Sequence, residues 1–175
     1  MVFVHDTRDK ENKHANVDAY LLKAGHRIVR SKLFVGDLAL LHDQHVCVDL
    51  KADVMELILD ICHDHRRFRD ECIRAAEFDI QLIVVVEEKL PGNDLSQWRP
   101  PLWRYDTQFH KAGEPMTKAN PNNIKAAMKT MEEKYGVRFC FCSPADTGPL
   151  VCRLLEVPDG SETSCSEDPP VSHDG

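Results

Sequence analysis

Hydrophobic positions recur with a period of two residues in some segments and of three to four in others, which predicts alternating strands and helices. The predicted strands cover residues 2–5, 26–29, 80–87 and 137–141, and a hairpin covers residues 33–50. The predicted helices cover residues 15–24, 54–61, 66–78, 121–135 and 145–155. Strands that alternate with helices in this way predict an α/β fold.

Residue types at the helix ends refine these bounds. Asp53 and Glu56 have the spacing of a capping box that starts the helix after the hairpin. Gly136 is the predicted stop of helix 121–135, because glycine adopts the left-handed conformation at little cost. The last helix is expected to be broken early by Gly148 and Pro149.

The hairpin has one apolar face and one charged face. If residues 42–44 form its loop, paired residue numbers sum to 86, so Asp37 lies opposite Asp49 and Val35 opposite Lys51. Asp49 and Lys51 are two residues apart and therefore share a face. The other face carries apolar residues that can pack on a core: Leu38, Leu40, Val46, Val48 and Leu50.

Two carboxylates that face each other repel unless a cation lies between them. Asp37 and Asp49 therefore predict a site for Mg²⁺ or Mn²⁺, hard ions that prefer carboxylate, carbonyl and water oxygens. Lys51 can orient or deprotonate an attacking water and offset negative charge on a scissile phosphate. The alternative is that these side chains form an ordinary solvated face of an antiparallel hairpin.

Charged residues also follow the first strand and open a helix after the hairpin. Asp6-Thr7-Arg8-Asp9 follows strand 2–5, and Arg66-Arg67-Phe68-Arg69 begins helix 66–78. Residues 80–88 form a nearly continuous apolar run that ends in two acids, which is typical of a buried strand.

The order of these segments resembles the motif order of the XPF-type nuclease domain, a branch of the restriction-endonuclease-like PD-(D/E)xK superfamily. That family has Asp-x-Arg-Glu after a strand, then Gly-Asp, Glu-Arg-Lys-x-x-x-Asp, a helix containing Arg-Phe, and an apolar strand ending in acids. The corresponding segments, within residues 1–155, are Asp6-Thr7-Arg8-Asp9, Gly36-Asp37, Asp49-Leu50-Lys51, Arg67-Phe68 and Val84-Val85-Val86-Glu87-Glu88.

Three positions depart from the family pattern. The motif glutamate is Asp49, which still supplies a carboxylate, and the motif arginine is Leu50, consistent with an apolar hairpin face. The aspartate expected four residues after the lysine is Met55, and the nearest acids are the two assigned to the capping box.

The resemblance implies a mixed central β-sheet flanked by helices, and a metal-dependent endonuclease that hydrolyses DNA phosphodiester bonds with Mg²⁺ or Mn²⁺. The implied substrate is branched, flap or junction DNA in repair or recombination, and the implied assembly is a homodimer. The expected catalytic residues are Asp37, Asp49, Lys51 and Asp6. The expected metal ligands are Asp37, Asp49, Asp6 and the backbone carbonyl of Leu50, with Arg8 and Asp9 supporting them.

The long connection over residues 90–119 is a second candidate for DNA binding, since long loops in compact domains are usually functional or disordered. Trp98, Arg99, Trp103 and Arg104 have the side chains needed for base stacking and phosphate contacts. Alternatively, the tryptophans fold back onto the core and leave the arginines at a solvated rim. Arg8 and Arg67 are further candidates for DNA contacts, although arginines of helix 66–78 can instead pair with acids of that helix.

The net charge of −7 is unevenly distributed. Residues 156–175 hold six acids and neither Lys nor Arg, which leaves 22 basic and 23 acidic groups in residues 1–155. The body is thus nearly neutral, which is compatible with a basic DNA-facing surface. We expect one nuclease domain over residues 1–155 and a disordered acidic tail over residues 156–175.

Two other functions are consistent with the sequence. A catalytically silent DNA-binding or scaffold domain of the same fold would have no physical reason to keep Asp37 and Asp49 facing each other. A zinc hydrolase would use Cys62-His63-Asp64-His65 and Cys72, whose spacing fits no familiar zinc motif. Because no secretory signal or membrane-spanning run is evident, a cytoplasmic protein is expected, and a bacterial or phage source is consistent with its length.

Overall fold

A computed structural model describes residues 1–10, 13–62, 64–90, 95, 98 and 121–156. The strands are β1 (Val2–His5), β2 (Arg27–Arg30), β3 (Leu38–Leu40), β4 (Val46–Lys51), β5 (Gln81–Glu87) and β6 (Arg138–Cys142). The helices are α1 (Ala15–Lys23), α2 (Val54–Cys62), α3 (His65–Glu77), α4 (Pro121–Tyr135) and α5 (Thr147–Glu156). The predicted alternation of strands and helices is confirmed.

The strands form a single mixed sheet in the order β2-β1-β3-β4-β5-β6. β3 runs antiparallel to both of its neighbours, β1 and β4. The outer pairs are parallel: β1 with β2, β4 with β5, and β5 with β6. The predicted mixed sheet is therefore confirmed, and the strand that precedes Asp6 lies directly beside the hairpin.

The register of the hairpin matches the prediction. Leu38 pairs with Val48 and Ala39 with Cys47, so the paired residue numbers sum to 86 as predicted. The first strand of the hairpin, β3, is shorter than expected. Gly36, at φ +70°, turns the backbone away from the regular extended form. The contact with β4 extends to Asp37, whose N–H donates to the Val48 carbonyl at 2.8 Å, one residue away from the partner that this register predicts.

Each face of the sheet is covered by helices and carries its own apolar core. On one face, α1 and α5 pack on the apolar side of the hairpin, which includes Leu38, Val48 and Leu50 as predicted. On the other face, α2, α3 and α4 cover Ala39 and Cys47. Since Asp49 and Lys51 lie on this second face and are only 4% and 6% exposed, the alternative of a solvated charged face is wrong.

The predicted N-cap of α2 at Asp53 is confirmed, and Glu56 bonds back to Ala52, one residue before the N-cap that a standard capping box would reach. Asp53 Oδ1 accepts a hydrogen bond from the Glu56 N–H at 2.9 Å, and Glu56 Oε2 accepts one from the Ala52 N–H at 2.9 Å. These bonds satisfy donors that a helix start would otherwise leave unpaired. The strand that carries Lys51 thus passes directly into a stabilised helix.

The early break predicted in the last helix is wrong, because α5 begins at Thr147 and continues through both Gly148 and Pro149. Proline is tolerated in the first turn of a helix, where its missing N–H would have no intrahelical partner. Gly148 allows α5 to approach α1 closely: a Cβ at this position would lie 2.6 Å from the Tyr20 side chain. The Gly-Pro pair therefore marks a close helix contact.

We expect Gly36→Ala to lower the free energy of unfolding by about 1–3 kcal/mol more than Gly136→Ala does. The two glycines have almost the same φ, +70° and +69°, so the conformational cost of alanine is matched. They differ in surroundings, because a Cβ at Gly36 would lie 2.9 Å from the Val48 carbonyl oxygen, whereas one at Gly136 meets nothing within 4 Å. Urea denaturation of both variants measures the difference. Equal losses would show that the Val48 contact carries no cost.

Candidate active site

Asp37 and Asp49 lie beside each other at the end of the hairpin furthest from its loop. Asp37 Oδ2 accepts a hydrogen bond from the Leu50 N–H at 2.9 Å, which ties its carboxylate to β4. The Asp37 carbonyl accepts a second bond from the Asp6 N–H at 2.8 Å, which ties its backbone to the end of β1. The position of Asp37 is therefore set by both neighbouring strands.

The electrostatics of this pair are unfavourable without a cation. Burial, and then the negative charge of Asp49, raise the pKa of Asp37 to about 8. The hydrogen bond from the Leu50 N–H and the charge of Lys51 act in the opposite direction without overcoming them. The sequence-based prediction that these two acids repel is confirmed in direction.

Lys51 lies between two buried carboxylates. Its Nζ is 2.7 Å from Asp49 Oδ2 and 2.7 Å from Asp60 Oδ2. Burial alone would lower the pKa of Lys51, but these two ion pairs outweigh it and raise the pKa, so the ammonium stays charged. Arg67 adds a second positive charge on the solvent side of Asp60, with a guanidinium nitrogen 3.0 Å from Asp60 Oδ1.

Arg67 and Phe68, the Arg-Phe pair of the family pattern, have different environments. Phe68 is buried, and the Lys51 ammonium lies 5.6 Å from the centre of its ring, within the range of a cation–π contact. The Arg67 side chain is 74% exposed and reaches solvent at the edge of the site. Phe68 therefore positions Lys51, while Arg67 remains accessible to an external ligand.

Glu71 supports the turn that carries Asp37. Its Oε1 accepts a hydrogen bond from the Gly36 N–H at 2.8 Å, which reaches from α3 to the start of β3. Burial, and then the charge of Asp49, raise the pKa of Glu71. A third carboxylate thus lies close enough to Asp49 to be influenced by its charge.

The Asp6 carboxylate is held by hydrogen-bond donors. It accepts bonds from the Arg8 N–H at 2.6 Å, the Arg8 guanidinium at 2.7 to 3.1 Å and the Leu33 N–H at 2.7 Å. Burial opposes the charge of Asp6, but the bonds from Arg8 and Leu33 outweigh it and lower its pKa. These contacts favour a role in bracing the chain before Asp37, so the role of Asp6 as a metal ligand stays a prediction without support from its surroundings.

Asp9, expected only to support the ligands, lies next to Asp37 together with His14. One ligand atom from each of Asp9, His14 and Asp37 lies within 4.8 Å of the others. Asp9 is oriented by His5, whose Nε2 is 3.0 Å from Asp9 Oδ2 and whose Nδ1 is 3.0 Å from Asp18 Oδ1. Burial opposes the charge of His5, but the hydrogen bonds to Asp18 and Asp9 outweigh it and raise its pKa.

His14 is buried at the N-terminal boundary of α1. Burial, and then the charge of Lys13, lower its pKa, which keeps the imidazole neutral. Its Nε2 is 3.8 Å from Asp9 Oδ2, which is too long for a hydrogen bond. Lys13 itself is directed to Glu56, with its Nζ 2.8 Å from Glu56 Oε1.

Sequence reasoning missed three side chains that the fold brings to the site: Asp60, Glu71 and His14. Asp60 could have been found from the sequence, because it is an acid on the apolar face of α2, close to Leu57 and Ile61. Glu71 and His14 carry no comparable signal. Their positions depend on how α3 and the segment before α1 pack against the hairpin.

Among the predicted DNA-binding residues, Trp98 is 6% exposed and belongs to the core on the α2–α4 face. The prediction that Trp98 stacks on DNA is therefore corrected in favour of the alternative in which it covers the core. Arg99, Trp103 and Arg104 lie outside the described residues. The arginines of α3 partly pair with acids nearby, for example Arg69 with Asp70 at 3.3 Å.

The structure gives the zinc alternative no support. Cys62 is exposed, Cys72 is buried, and His63 lies outside the described residues. Groups of potential metal ligands within the described part of the chain include neither cysteine. The same part of the chain contains no helix long and apolar enough to cross a membrane.

Comparison with solved structures identifies the fold of the chain. No protein-family model and no curated protein matches the chain. XPF from Aeropyrum pernix matches with a TM-score of 0.62 at 18% identity, over 89% of this chain and 64% of that chain. XPF from Aeropyrum pernix in complex with DNA matches with a TM-score of 0.60 at 18% identity, over 89% and 63%. The chain has the XPF-type nuclease fold.

The chain spans less than two thirds of the length of the XPF chains that it matches. At 18% identity the likeness concerns the fold, and the chemistry must be argued from the residues present. The predicted resemblance is confirmed at the level of the fold.

The oxygen donors around Asp37 and Asp49 fit a divalent cation. Asp49 Oδ2 is buried, and apart from its close approach to Lys51 Nζ it has no partner with hydrogen-bond geometry among the described residues. The raised pKa of Asp37 shows that its negative charge is unfavourable here, and a bound cation would offset that cost. Both carboxylates are therefore suited to bind Mg²⁺ or Mn²⁺, and the use of the Leu50 carbonyl stays a prediction.

Asp37→Asn is expected to raise the melting temperature of the metal-free protein by a few degrees, since about 1 kcal/mol corresponds to about 2–4 °C for a chain of this size. Because the pKa of Asp37 rises from 3.8 to about 8 on folding, the native state holds a proton that the unfolded chain has lost between these values. The contribution of Asp37 to the free energy of unfolding therefore falls as the pH rises. Asparagine does not titrate, so the variant lacks this pH dependence.

The advantage of Asp37→Asn should accordingly be larger at about pH 8 than at about pH 5 in EDTA. Mg²⁺ should then raise the melting temperature of wild type more than that of the variant. Thermal denaturation across this pH range, with and without Mg²⁺, measures both effects. A pH-independent difference between the proteins would contradict the raised pKa of Asp37.

Proposed function

We propose that this protein is a metal-dependent DNA endonuclease that hydrolyses phosphodiester bonds. The observation that carries the proposal is the pair Asp37 and Asp49, held side by side with Lys51 on one face of the hairpin. The XPF-type fold supports it, because a neighbouring structure with this fold is described in complex with DNA. Branched, flap or junction DNA, in repair or recombination, is the proposed substrate class.

Asp37 and Asp49 would hold the divalent cation, Mg²⁺ or Mn²⁺. When bound there, the cation supplies Lewis-acid stabilisation of the phosphate and a more acidic water. The hydrogen bond from the Leu50 N–H keeps the Asp37 carboxylate directed along β4. The bond between Asp6 and Asp37 main-chain atoms fixes the same residue from the other side.

Lys51 would stabilise negative charge that develops on the phosphate. Its ammonium is charged, buried and held at 2.7 Å by both Asp49 and Asp60, so little reorganisation is needed during the reaction. Asp60 and Phe68 act as positioning residues, since they contact Lys51 and hold its Nζ in place.

Exposed arginines at the edge of the site are the proposed DNA contacts. Arg67 reaches solvent beside Asp60, and the half-exposed Arg8 also donates to the Leu33 carbonyl at 2.9 Å. Arg99, Trp103 and Arg104 stay candidates from the sequence. A homodimer and a cytoplasmic location likewise stay predictions.

A catalytically silent DNA-binding domain of the same fold is the alternative. It is disfavoured by the same carboxylate pair, because the half-buried Asp37, with its pKa raised to about 8, costs stability at neutral pH when no cation is bound. A silent domain would be relieved of this cost by any neutral replacement.

Asp37→Asn and Asp49→Asn should each abolish cleavage of a labelled fork or flap DNA in Mg²⁺. DNA binding should be retained or strengthened, because negative charge facing the phosphates is removed. Asp43→Asn is the matched control, since Asp43 is an exposed acid in the loop of the same hairpin. Gel assays measure cleavage and binding for each protein. Wild-type cleavage rates in both site variants would exclude this active site. Absence of cleavage by the wild-type protein on every DNA structure would favour the catalytically silent alternative.

Replacing Lys51 by methionine should reduce the single-turnover cleavage rate about 10²-fold or more with little change in DNA affinity. Because Lys51→Met alone leaves Asp60 with less compensating charge, the double variant Lys51→Met/Asp60→Asn keeps the local charge balanced. Asp60→Asn alone is the control for the effect of Asp60. Single-turnover kinetics and binding isotherms measure the two properties separately, and an equal loss of rate and affinity would contradict the assigned role of Lys51.

A further inference from the structure

A neutral imidazole lies beside the proposed active-site carboxylates and has no partner of its own. His14 is 0% exposed, and neither of its ring nitrogens has a hydrogen-bond partner among the described residues. Leaving a buried polar group unpaired is costly, so such a group in a folded protein needs an explanation. The surroundings of His14 provide one.

The ring is close to two carboxylates. One atom each from His14, Asp9 and Asp37 lies within 4.8 Å of the other two, a separation that a single ion between them can bridge. His14 Nε2 is 3.8 Å from Asp9 Oδ2, so the two groups are neighbours without being bonded to each other. The three side chains come from the segment after β1, the boundary of α1 and the start of β3.

The neighbouring residues hold this arrangement in place. His5 bonds to Asp9 at 3.0 Å and fixes its carboxylate, while the Leu50 N–H fixes that of Asp37 at 2.9 Å. Lys13 is 3.8 Å from Asp9 Oδ1, but its shorter contact, at 2.8 Å, is with Glu56. Lys13 is therefore engaged mainly with Glu56 and not with the three donors.

We propose that Asp9, His14 and Asp37 form a binding site for a transition-metal ion, in which His14 is a direct nitrogen ligand. Asp37 belongs both to this set and to the pair with Asp49, so it would bridge two neighbouring cation positions of the active site. The inference rests on the proposed function for its place in the reaction, but the metal site itself is independent of it.

The nitrogen donor determines which ions the site selects. Mg²⁺ takes oxygen ligands and keeps several waters, whereas imidazole is a common ligand of transition metals. A position built only from Asp37 and Asp49 suits Mg²⁺, and the position with His14 selects against it. Mn²⁺ is a suitable probe, because it accepts both carboxylate and imidazole ligands and is paramagnetic.

The decisive measurement is electron spin-echo modulation of Mn²⁺ bound to the wild-type protein. A directly bound imidazole gives nitrogen modulation, which should be present in wild type and absent in His14→Leu. His42→Gln, a change at an exposed histidine in the hairpin loop, is the matched control and should leave the modulation unchanged. Absence of nitrogen modulation in the wild-type protein overturns the proposal, and this outcome does not depend on whether any variant folds.

Binding and stability measurements separate a ligand from a structural histidine. His14→Leu should weaken Mn²⁺ binding about tenfold or more and Mg²⁺ binding by less than about threefold. In EDTA the variant should melt at or above the temperature of wild type, because two unpaired buried polar atoms are removed. A lower melting temperature in EDTA, with Mn²⁺ stabilising both proteins equally, would contradict the proposal.

The outcome is distinguishable from that of the proposed function. Cleavage of DNA without nitrogen modulation would exclude the His14 site and leave the endonuclease assignment intact. Nitrogen modulation in a protein that cleaves no DNA would support the metal site and exclude the endonuclease.

Discussion

The repulsion between Asp37 and Asp49 is the constraint around which this face of the protein is organised. Lys51 partly neutralises the pair, and Asp60 then balances Lys51. Glu71 holds Gly36, which fixes the backbone immediately before Asp37. Lys51 offsets negative charge, whereas Asp60 and Glu71 are themselves acids whose contacts fix Lys51 and the backbone before Asp37. The hairpin therefore gives up stability at one point, and the surrounding charges limit that loss.

The sequence predicted the parts of this arrangement that depend on local chemistry. Hairpin register followed from alternating positions and loop length, and the start of α2 followed from Asp53 and Glu56. These features are determined by residues within a few positions of one another, so a single sequence contains them. The same holds for the end of α4 at Gly136.

Contacts between distant segments were not predictable in the same way. Glu71 reaches Gly36 across 35 positions, and its spacing in α3 equally suggested pairing with arginines of that helix. The Arg8 guanidinium turns back onto Asp6, whereas Asp9 has a carboxylate oxygen within 4.8 Å of Asp37. The family pattern predicted Asp6 as a metal ligand and Asp9 as a supporting residue from their positions in the motif alone. The hydrogen bonds around each acid depend on the folded chain and could not be predicted from that motif. Trp98 illustrates the same limit, since an aromatic residue suits a core and a DNA surface equally well.

The outer strands of the sheet have a consequence for how two copies of this chain can meet. β2 forms one edge, and its exposed residues at either end are Arg27 and Arg30. An unpaired strand edge is a template for adding a further strand, and positively charged side chains along it oppose that addition. A second copy brought edge to edge would place arginines against arginines. Self-association through a continuous twelve-stranded sheet joined at β2 is thus discouraged by charge.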